Sequence, residues 1–396
     1  MKKAFSVFES FIKKRYKLIF IFLLLIILVK PIEIIANSSD YLFSPGFDSQ
    51  YENYKKLYYT SQFVQKKNPV IITDETFRSF AGGAFLKGLN PIMITHDHPP
   101  LGNYIISLSI FLFDNPRTIV VLLLAFSTLG IFLITKQATN NSLISLIPVG
   151  IFINEPIFLN KLKYIPLVEP IQFPFILFSF YFFIKAADDK KYLKWFILTS
   201  FFLGCVISIR FFVTGTVITF CMVLYLLIEK RGLSKKLGIF MITLPLSLFV
   251  LIASYTRTIM DGYSIIQIFG IQKYILAYHK SKFILPFSFW DLLLFNRWHT
   301  WWGNNAIIKD PQWMITWPVS VIFTIIYGVY FLMKKLKLNN PEKFLFIWLI
   351  VYTLTLSTGY SSTNYFLTII PFFYILAISF FQKAYIFYFK NKGKSR

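Results

Sequence analysis

Apolar runs long enough to cross a membrane recur along almost the whole of this chain, and that feature constrains its fold more than any other. A helix of about 18 or more such residues spans a hydrocarbon core of ~30 Å. The first run covers Leu18 to Ala36. It follows the basic Lys13-Lys14-Arg15-Tyr16-Lys17 and has no small-residue cleavage site, so it reads as a retained helix and not a removed signal. Further runs fall at about 101–113, 117–135, 143–159, 167–185, 192–209, 211–228, 237–254, 313–333, 342–357 and 362–381. Only 15% of the residues are charged and 56% are hydrophobic, against roughly a quarter charged in soluble domains. The expected class is an all-α integral membrane protein.

The formal net charge of +23 does not indicate a nucleic-acid partner, because Lys and Arg sit in short clusters between apolar runs. That is the pattern of cytoplasmic loops meeting anionic headgroups. Four basic linkers stand out: 185–194, 230–236, 334–343 and the tail 383–396. All four share the inner side with the N-terminus only if one early run fails to cross. The 13-residue run 101–113 follows Pro99-Pro100, holds Asn103 and would cover only about 20 Å, so it is assigned to the outer interface. The expectation is about ten transmembrane helices in a single polytopic domain over 1–396, in the cell membrane with both termini cytoplasmic. Extracytoplasmic loops lie at 37–116 and 255–312. In the first, Tyr51, Tyr54, Leu57, Tyr58 and Val64 recur at helical spacing, predicting an interfacial amphipathic helix from Asp48, its N-cap, to Lys67. Cys205 and Cys221 both lie within spans, which argues against a disulfide framework.

This topology brings several costly residues to one depth: Asp48, His96, Asp97, His98, Arg117, Asn154, Glu155, Glu169, Arg210, Gln272, His279 and Asn364. Ionisable groups at span ends that face a common cavity are functional candidates. Carboxylates beside arginines suit an anionic, phosphate-bearing ligand together with a general base. Plainer explanations stand beside these. Asp48 also reads as a helix cap, Arg117 and Lys161 as side chains snorkelling to headgroups, with snorkelling favoured for Lys161, and Glu169–Arg210 as a structural ion pair. His96 and His98 suggest a metal, but no further ligand is placed by sequence. Trp298, His299, Trp301 and Trp302 read as an interfacial belt or as a platform for a sugar or lipid.

The run Thr95-His96-Asp97-His98-Pro99-Pro100-Leu101-Gly102 resembles the D-x-H-P-P-L motif of the protein O-mannosyltransferases, members of the GT-C class of membrane glycosyltransferases. Related K-P-P-L forms occur in the aminoarabinose lipid A transferases. Similar segments follow in the same order: Asn115-Pro116-Arg117, Asn154-Glu155, Leu167-Val168-Glu169, Gly204 to Arg210, Gln272 to His279, Trp313 to Pro318, and Asn364-Tyr365 with Pro371. The chain departs from the pattern where Ser49 replaces a Glu after Asp48, His96 stands at the motif's Asp, and Glu169 replaces an Asp.

The resemblance implies a GT-C fold and transfer of one sugar, with inversion, from a polyprenyl-phosphate donor to an acceptor hydroxyl of a protein, lipid or glycan. It implies a mannosyltransferase-like enzyme with Asp48 or Glu52 as base and Glu169 as a further catalytic group. Substrate would be held by His96, Asp97, His98, Arg117, Arg210, Gln272, His279 and Asn364, the donor phosphate by Arg117, Arg210 and His279. No cofactor is required, though a divalent metal is compatible. The alternative is a transporter or flippase for a lipid-linked or anionic substrate. Such a protein would keep its ionisable residues near the midplane in two repeated halves. Trp301-Trp302-Gly303 lacks the Asp-Tyr of the oligosaccharyltransferase W-W-D-Y-G motif, and three further spans follow it.

Overall fold

The computed structural model describes residues 15–210, 212–229, 233–280, 285–300, 306–359 and 362–390, without the side chains of 233, 234, 279, 280, 389 and 390. It is almost wholly helical; the sheet among the described residues is one antiparallel pair of two-residue strands, Trp298–His299 with Ile307–Ile308. Six helices are long and apolar enough to cross a membrane: Tyr16–Asn37, Thr118–Thr139, Val168–Asp188, Tyr192–Ile209, Lys235–Ser254 and Ile370–Tyr388. A seventh is the bent pair Ser142–Ile153 and Pro156–Lys163, if counted as one span. Of the other runs, Leu101–Phe113, Val213–Ile228 and Thr316–Leu332 are shorter apolar helices, and Asn340–Ser357 has 18 residues.

The basic linkers gather at one end. Asn340 Nδ2 donates to Asp188 Oδ1 at 2.7 Å, Lys236 Nζ to the Ala187 carbonyl, Lys343 Nζ to Glu229 Oε2 at 3.0 Å, and Lys383 Nζ to the Lys337 carbonyl at 2.7 Å. The 37–116 segment packs at the other end. There the Leu101–Phe113 helix stops at Asp114, left-handed with φ 48°, whose carbonyl accepts from the backbone N–H groups of Gly46 and Phe47.

Two expectations are corrected. The run 143–159 is not one helix: it breaks at Asn154-Glu155-Pro156 and turns through 63°. Pro156 takes the first helical position of the second piece, where its missing N–H costs nothing. The helix expected from Asp48 to Lys67 covers only Phe47–Tyr59, and Asp48 does not cap it. The Asp48 N–H donates instead to Asp114 Oδ1 at 2.9 Å, so a distant carboxylate satisfies the helix start. The buried part of its aromatic face packs on protein: Tyr58 stacks on Phe80 at 4.5 Å and on Phe77 at 5.8 Å.

Those partners belong to the Asp74–Leu86 helix, which is wedged between Phe47–Tyr59 and Leu101–Phe113. Gly82 and Gly83 make the wedge fit. A Cβ at Gly83 would stand 2.6 Å from the Phe47 ring, and one at Gly82 would stand 2.5 Å from Ile106 Cγ2. Both approaches are closer than van der Waals contact allows, so only glycine lets three helices meet here. The wedge carries Asp74 and Arg78 towards the bundle.

Candidate active site

A cavity of about 220 Å³ opens at the end that holds the first loop region, lined by Asp74, Arg78, Asp97, His98, Glu169, Arg210, Tyr278, Asn364 and Tyr365 among others. Each polar group reaches it from a different element. Asp74 and Arg78 stand one turn apart on the wedged helix, with Asp74 in the first turn. Asp97 and His98 sit just before the Leu101–Phe113 helix, whose Gly102 admits close passage of Ile209 (Cγ2 would lie 3.1 Å from a Cβ there). Glu169 opens Val168–Asp188, and Arg210 closes Tyr192–Ile209. These two spans are fixed to each other by Gln172 Nε2 donating to the Val206 carbonyl at 2.9 Å.

Within the cavity wall, Arg78 is 4% exposed. Its Nη2 lies 3.4 Å from Asp97 Oδ2 and 3.1 Å from His98 Nδ1, which itself lies 2.6 Å from Asp97 Oδ2. Burial alone pushes the Asp97 carboxyl up, but His98 and Arg78 outweigh it and hold Asp97 far below the ordinary carboxylate range. Burial pushes His98 down, against the upward pull of Asp97. Arg78 Nη1, also buried, has no hydrogen-bond partner among the described residues. Arg210 Nη2 meets Glu169 Oε1 at 3.2 Å, and its guanidinium lies 4.9 Å from the Tyr365 ring centroid.

Asp74 behaves differently from Asp97. It is accessible through the cavity mouth, yet desolvation by the surrounding walls raises its carboxyl; Arg78 pulls down, while Glu169, Glu75 and Asp97 add to the rise. The cavity therefore sets two of its carboxylates apart: Asp97 is held down by its cationic neighbours, and Asp74 is pushed up by desolvation.

Of the expected site residues, the structure brings together Asp97, His98, Glu169, Arg210 and Asn364. His96 is exposed beside them, edge-on to Tyr274 and Tyr278 at ring-centroid distances of 6.0 and 6.2 Å. Asp48 and Glu52 do not line this cavity; both are exposed, and Glu52 pairs with Lys55 at 3.4 Å. Arg117 lines a separate cavity of about 350 Å³ with Asp40, Tyr41, Tyr54 and Asp114, its guanidinium 3.8 Å from the Tyr41 ring centroid. Gln272 is buried elsewhere and donates to Tyr255 Oη at 2.9 Å. The side chain of His279 lies outside the described residues, as do Trp301 and Trp302.

Lys161 does not snorkel. The bend at Pro156 turns it inward, where it is 5% exposed and donates to Asn364 Oδ1 behind the cavity wall. Glu155 points away from the cavity and accepts from Thr316 Oγ1, Trp317 Nε1 and Tyr374 Oη, which ties the bend to two spans. Asp74 and Arg78 were missed in the sequence. Arg78 carried a signal, being the one charge in Phe77-Arg78-Ser79-Phe80-Ala81-Gly82-Gly83-Ala84-Phe85. Among the described residues, no three of His, Cys, Asp and Glu come together as a metal cluster.

A family model described as dolichyl-phosphate-mannose-protein mannosyltransferase matches residues 97–255, the stretch that supplies Asp97, His98, Glu169 and Arg210. No curated protein matches the sequence. Among solved structures, ArnT from Cupriavidus metallidurans in the apo state aligns with a TM-score of 0.55 at 13% identity, covering 76% of this chain and 53% of that one. The same protein bound to undecaprenyl phosphate aligns with a TM-score of 0.50 at 13% identity, covering 84% and 58%. The archaeal oligosaccharyltransferase AglB from Archaeoglobus fulgidus, in complex with an inhibitory peptide and a dolichol-phosphate, aligns with a TM-score of 0.53 at 11% identity, covering 88% and 52%. The chain spans little more than half the length of these structures. The likeness is one of fold, and that fold is the GT-C membrane fold which the sequence resemblance implied.

Proposed function

We propose that this chain is a membrane glycosyltransferase that moves one sugar from a polyprenyl-phosphate donor to an acceptor hydroxyl on the non-cytoplasmic face, with inversion. The observation that carries the reading is the single cavity in which two guanidinium groups, Arg78 and Arg210, meet Asp74, Asp97 and Glu169. The mannosyltransferase family match over 97–255, and the polyprenyl phosphates named with ArnT and AglB, support the same donor class.

In this reading the donor phosphate sits between Arg78, whose Nη1 has no partner among the described residues, and Arg210. The bond from the phosphate oxygen to the anomeric carbon breaks as the acceptor oxygen forms its bond to that carbon from the opposite side. Charge developing on the leaving phosphate is met by the two arginines. The acceptor proton passes to a carboxylate. Asp97 is held too acidic by His98 and Arg78 to serve well, and Glu169 is engaged by Arg210; Asp74, raised and accessible, fits the base. This assignment departs from Asp48 and Glu52, which the resemblance implied and which do not line this cavity. The clustering of charge at one end, and not at the midplane, favours an enzyme over a transporter.

The test is turnover of purified protein supplied with a polyprenyl-phosphate sugar and candidate acceptors, read as release of polyprenyl phosphate. Asp74→Asn is expected to lower turnover by about 10²–10⁴-fold while donor binding persists. Loss in Asp48→Asn with Asp74→Asn active would move the base to Asp48. Absence of donor binding and of turnover in the unaltered protein would defeat the reading. Sidedness has its own check: a single cysteine at Lys66 is expected to react with an impermeant thiol reagent in intact cells, and one at Asp189 is not.

A further inference from the structure

At the opposite end of the bundle, a groove of about 620 Å³ runs between the Val213–Ile228, Thr316–Leu332 and Asn340–Ser357 helices. Its walls are apolar, from Ile228, Phe331, Leu332, Phe346, Ile347 and Ile350, and several of these lean outward: Leu332 is 77% exposed, and Ile228 and Ile350 are 59% and 57% exposed. In a chain embedded in a bilayer, such side chains face lipid. Gly328 lies in the lining and presents no side chain to it. A Cβ there would meet only Phe346 Cε1, at 3.6 Å.

Two polar features break the apolar lining. Tyr225 is 2% exposed, yet its hydroxyl has no hydrogen-bond partner among the described residues. An unmet buried hydroxyl is costly unless something outside the chain satisfies it. At the rim, Lys343 Nζ lies 3.0 Å from Glu229 Oε2, which engages only one of the three ammonium donors. Lys334 and Lys335 follow closely on the groove-lining Phe331 and Leu332, and Lys337 directly precedes the lining Leu338. An apolar groove, an orphan donor on one of its lining residues and lysines around its mouth form one pattern. They match a molecule with an apolar tail, an acceptor at the depth of an ester or phosphate, and a negative head.

We propose that this groove is a binding site for an anionic glycerophospholipid. One acyl chain lies along the groove past Gly328, an ester or phosphate oxygen accepts from Tyr225 Oη, and the headgroup meets Lys343 and the neighbouring lysines. Because the cavity that holds Arg78 and Arg210 is at the other end, this lipid is not the sugar donor. Its role is to hold the three helices together from the side.

The full chain, purified and stripped of lipid, would be reconstituted with phosphatidylglycerol, phosphatidylcholine or a polyprenyl phosphate, and bound lipid counted by native mass spectrometry alongside thermal stability. Phosphatidylglycerol is expected to be retained and to raise the unfolding temperature, phosphatidylcholine much less. Gly328→Leu, which fills the slot, is expected to abolish both effects. Tyr225→Phe removes only the donor and is expected to weaken retention by about three- to tenfold; it also serves if Gly328→Leu fails to fold. Equal retention of phosphatidylglycerol by both variants and the unaltered chain would overturn the proposal. So would equal retention of phosphatidylcholine, or displacement of phosphatidylglycerol by polyprenyl phosphate alone.

Discussion

The two ends of the bundle both bury charge, and they do so in opposite ways. At the basic end, Glu342 is fully buried, accepts from the Asn339 N–H as half of a capping box, and pairs with Lys383, which also donates to the Lys337 carbonyl. That network joins a helix start to a neighbouring span and opens onto no described cavity. At the other end, Arg78, Asp97, His98, Glu169 and Arg210 are paired as well, but around a cavity. Charge packed between a helix start and a neighbouring span fixes helices; charge arranged around a void is available to a ligand.

The largest effect that would sharpen this contrast is on stability. Lys383→Met leaves the Glu342 carboxylate without its cation, and breaking such a buried pair costs about 3–5 kcal/mol. The thermal midpoint is expected to fall sharply, while the affinity of the remaining folded protein for a polyprenyl-phosphate sugar stays unchanged. A change in affinity with no loss of stability would reverse the roles of the two ends.

Arg78→Ala is the complementary experiment. It removes a charge-assisted contact worth about 1.5–3 kcal/mol, so donor affinity measured by equilibrium binding is expected to drop by roughly ten- to over a hundredfold. Arg78→Lys keeps the charge and loses the forked geometry, and is expected to fall between. If neither variant changed donor affinity, the void would not be the donor site.

A pH profile tests the division between the two carboxylates. A base must be ionised, and desolvation raises Asp74 from its ordinary value. As pH falls through that raised pKa, kcat/KM is expected to fall about tenfold per unit. The acid limb should therefore lie above the usual carboxylate position, and it should vanish in Asp74→Asn. A limb at the ordinary position would mean that Asp74 is not the base.

The smallest effect concerns Arg117, which the sequence paired with Arg210 and the structure separates from it. Arg117→Ala removes a guanidinium stacked on Tyr41, worth about 0.5–1 kcal/mol of stability at a partly exposed site, and is expected to leave donor affinity within about threefold. Equal losses in Arg117→Ala and Arg210→Ala would mean that the two cavities act as one.

By itself the sequence determined the solvent this chain folds in and the end at which its costly residues collect. Both follow from local quantities, since an apolar run must be long enough to span hydrocarbon and basic linkers segregate to one side. Asp97, His98, Glu169 and Arg210 were legible for that reason, each an ionisable group beside a long apolar run. Tertiary structure alone decided which of these residues share a cavity. Asp74 and Arg78 reach it because Gly82 and Gly83 let their helix wedge between two others. Lys161 turns inward because Pro156 starts a new helix at 63° to the last, and Asp48 is drawn to Asp114, 66 residues away. Helix–helix approach depends on which small side chains happen to face each other across the bundle, and no periodicity along one segment records its partner in another.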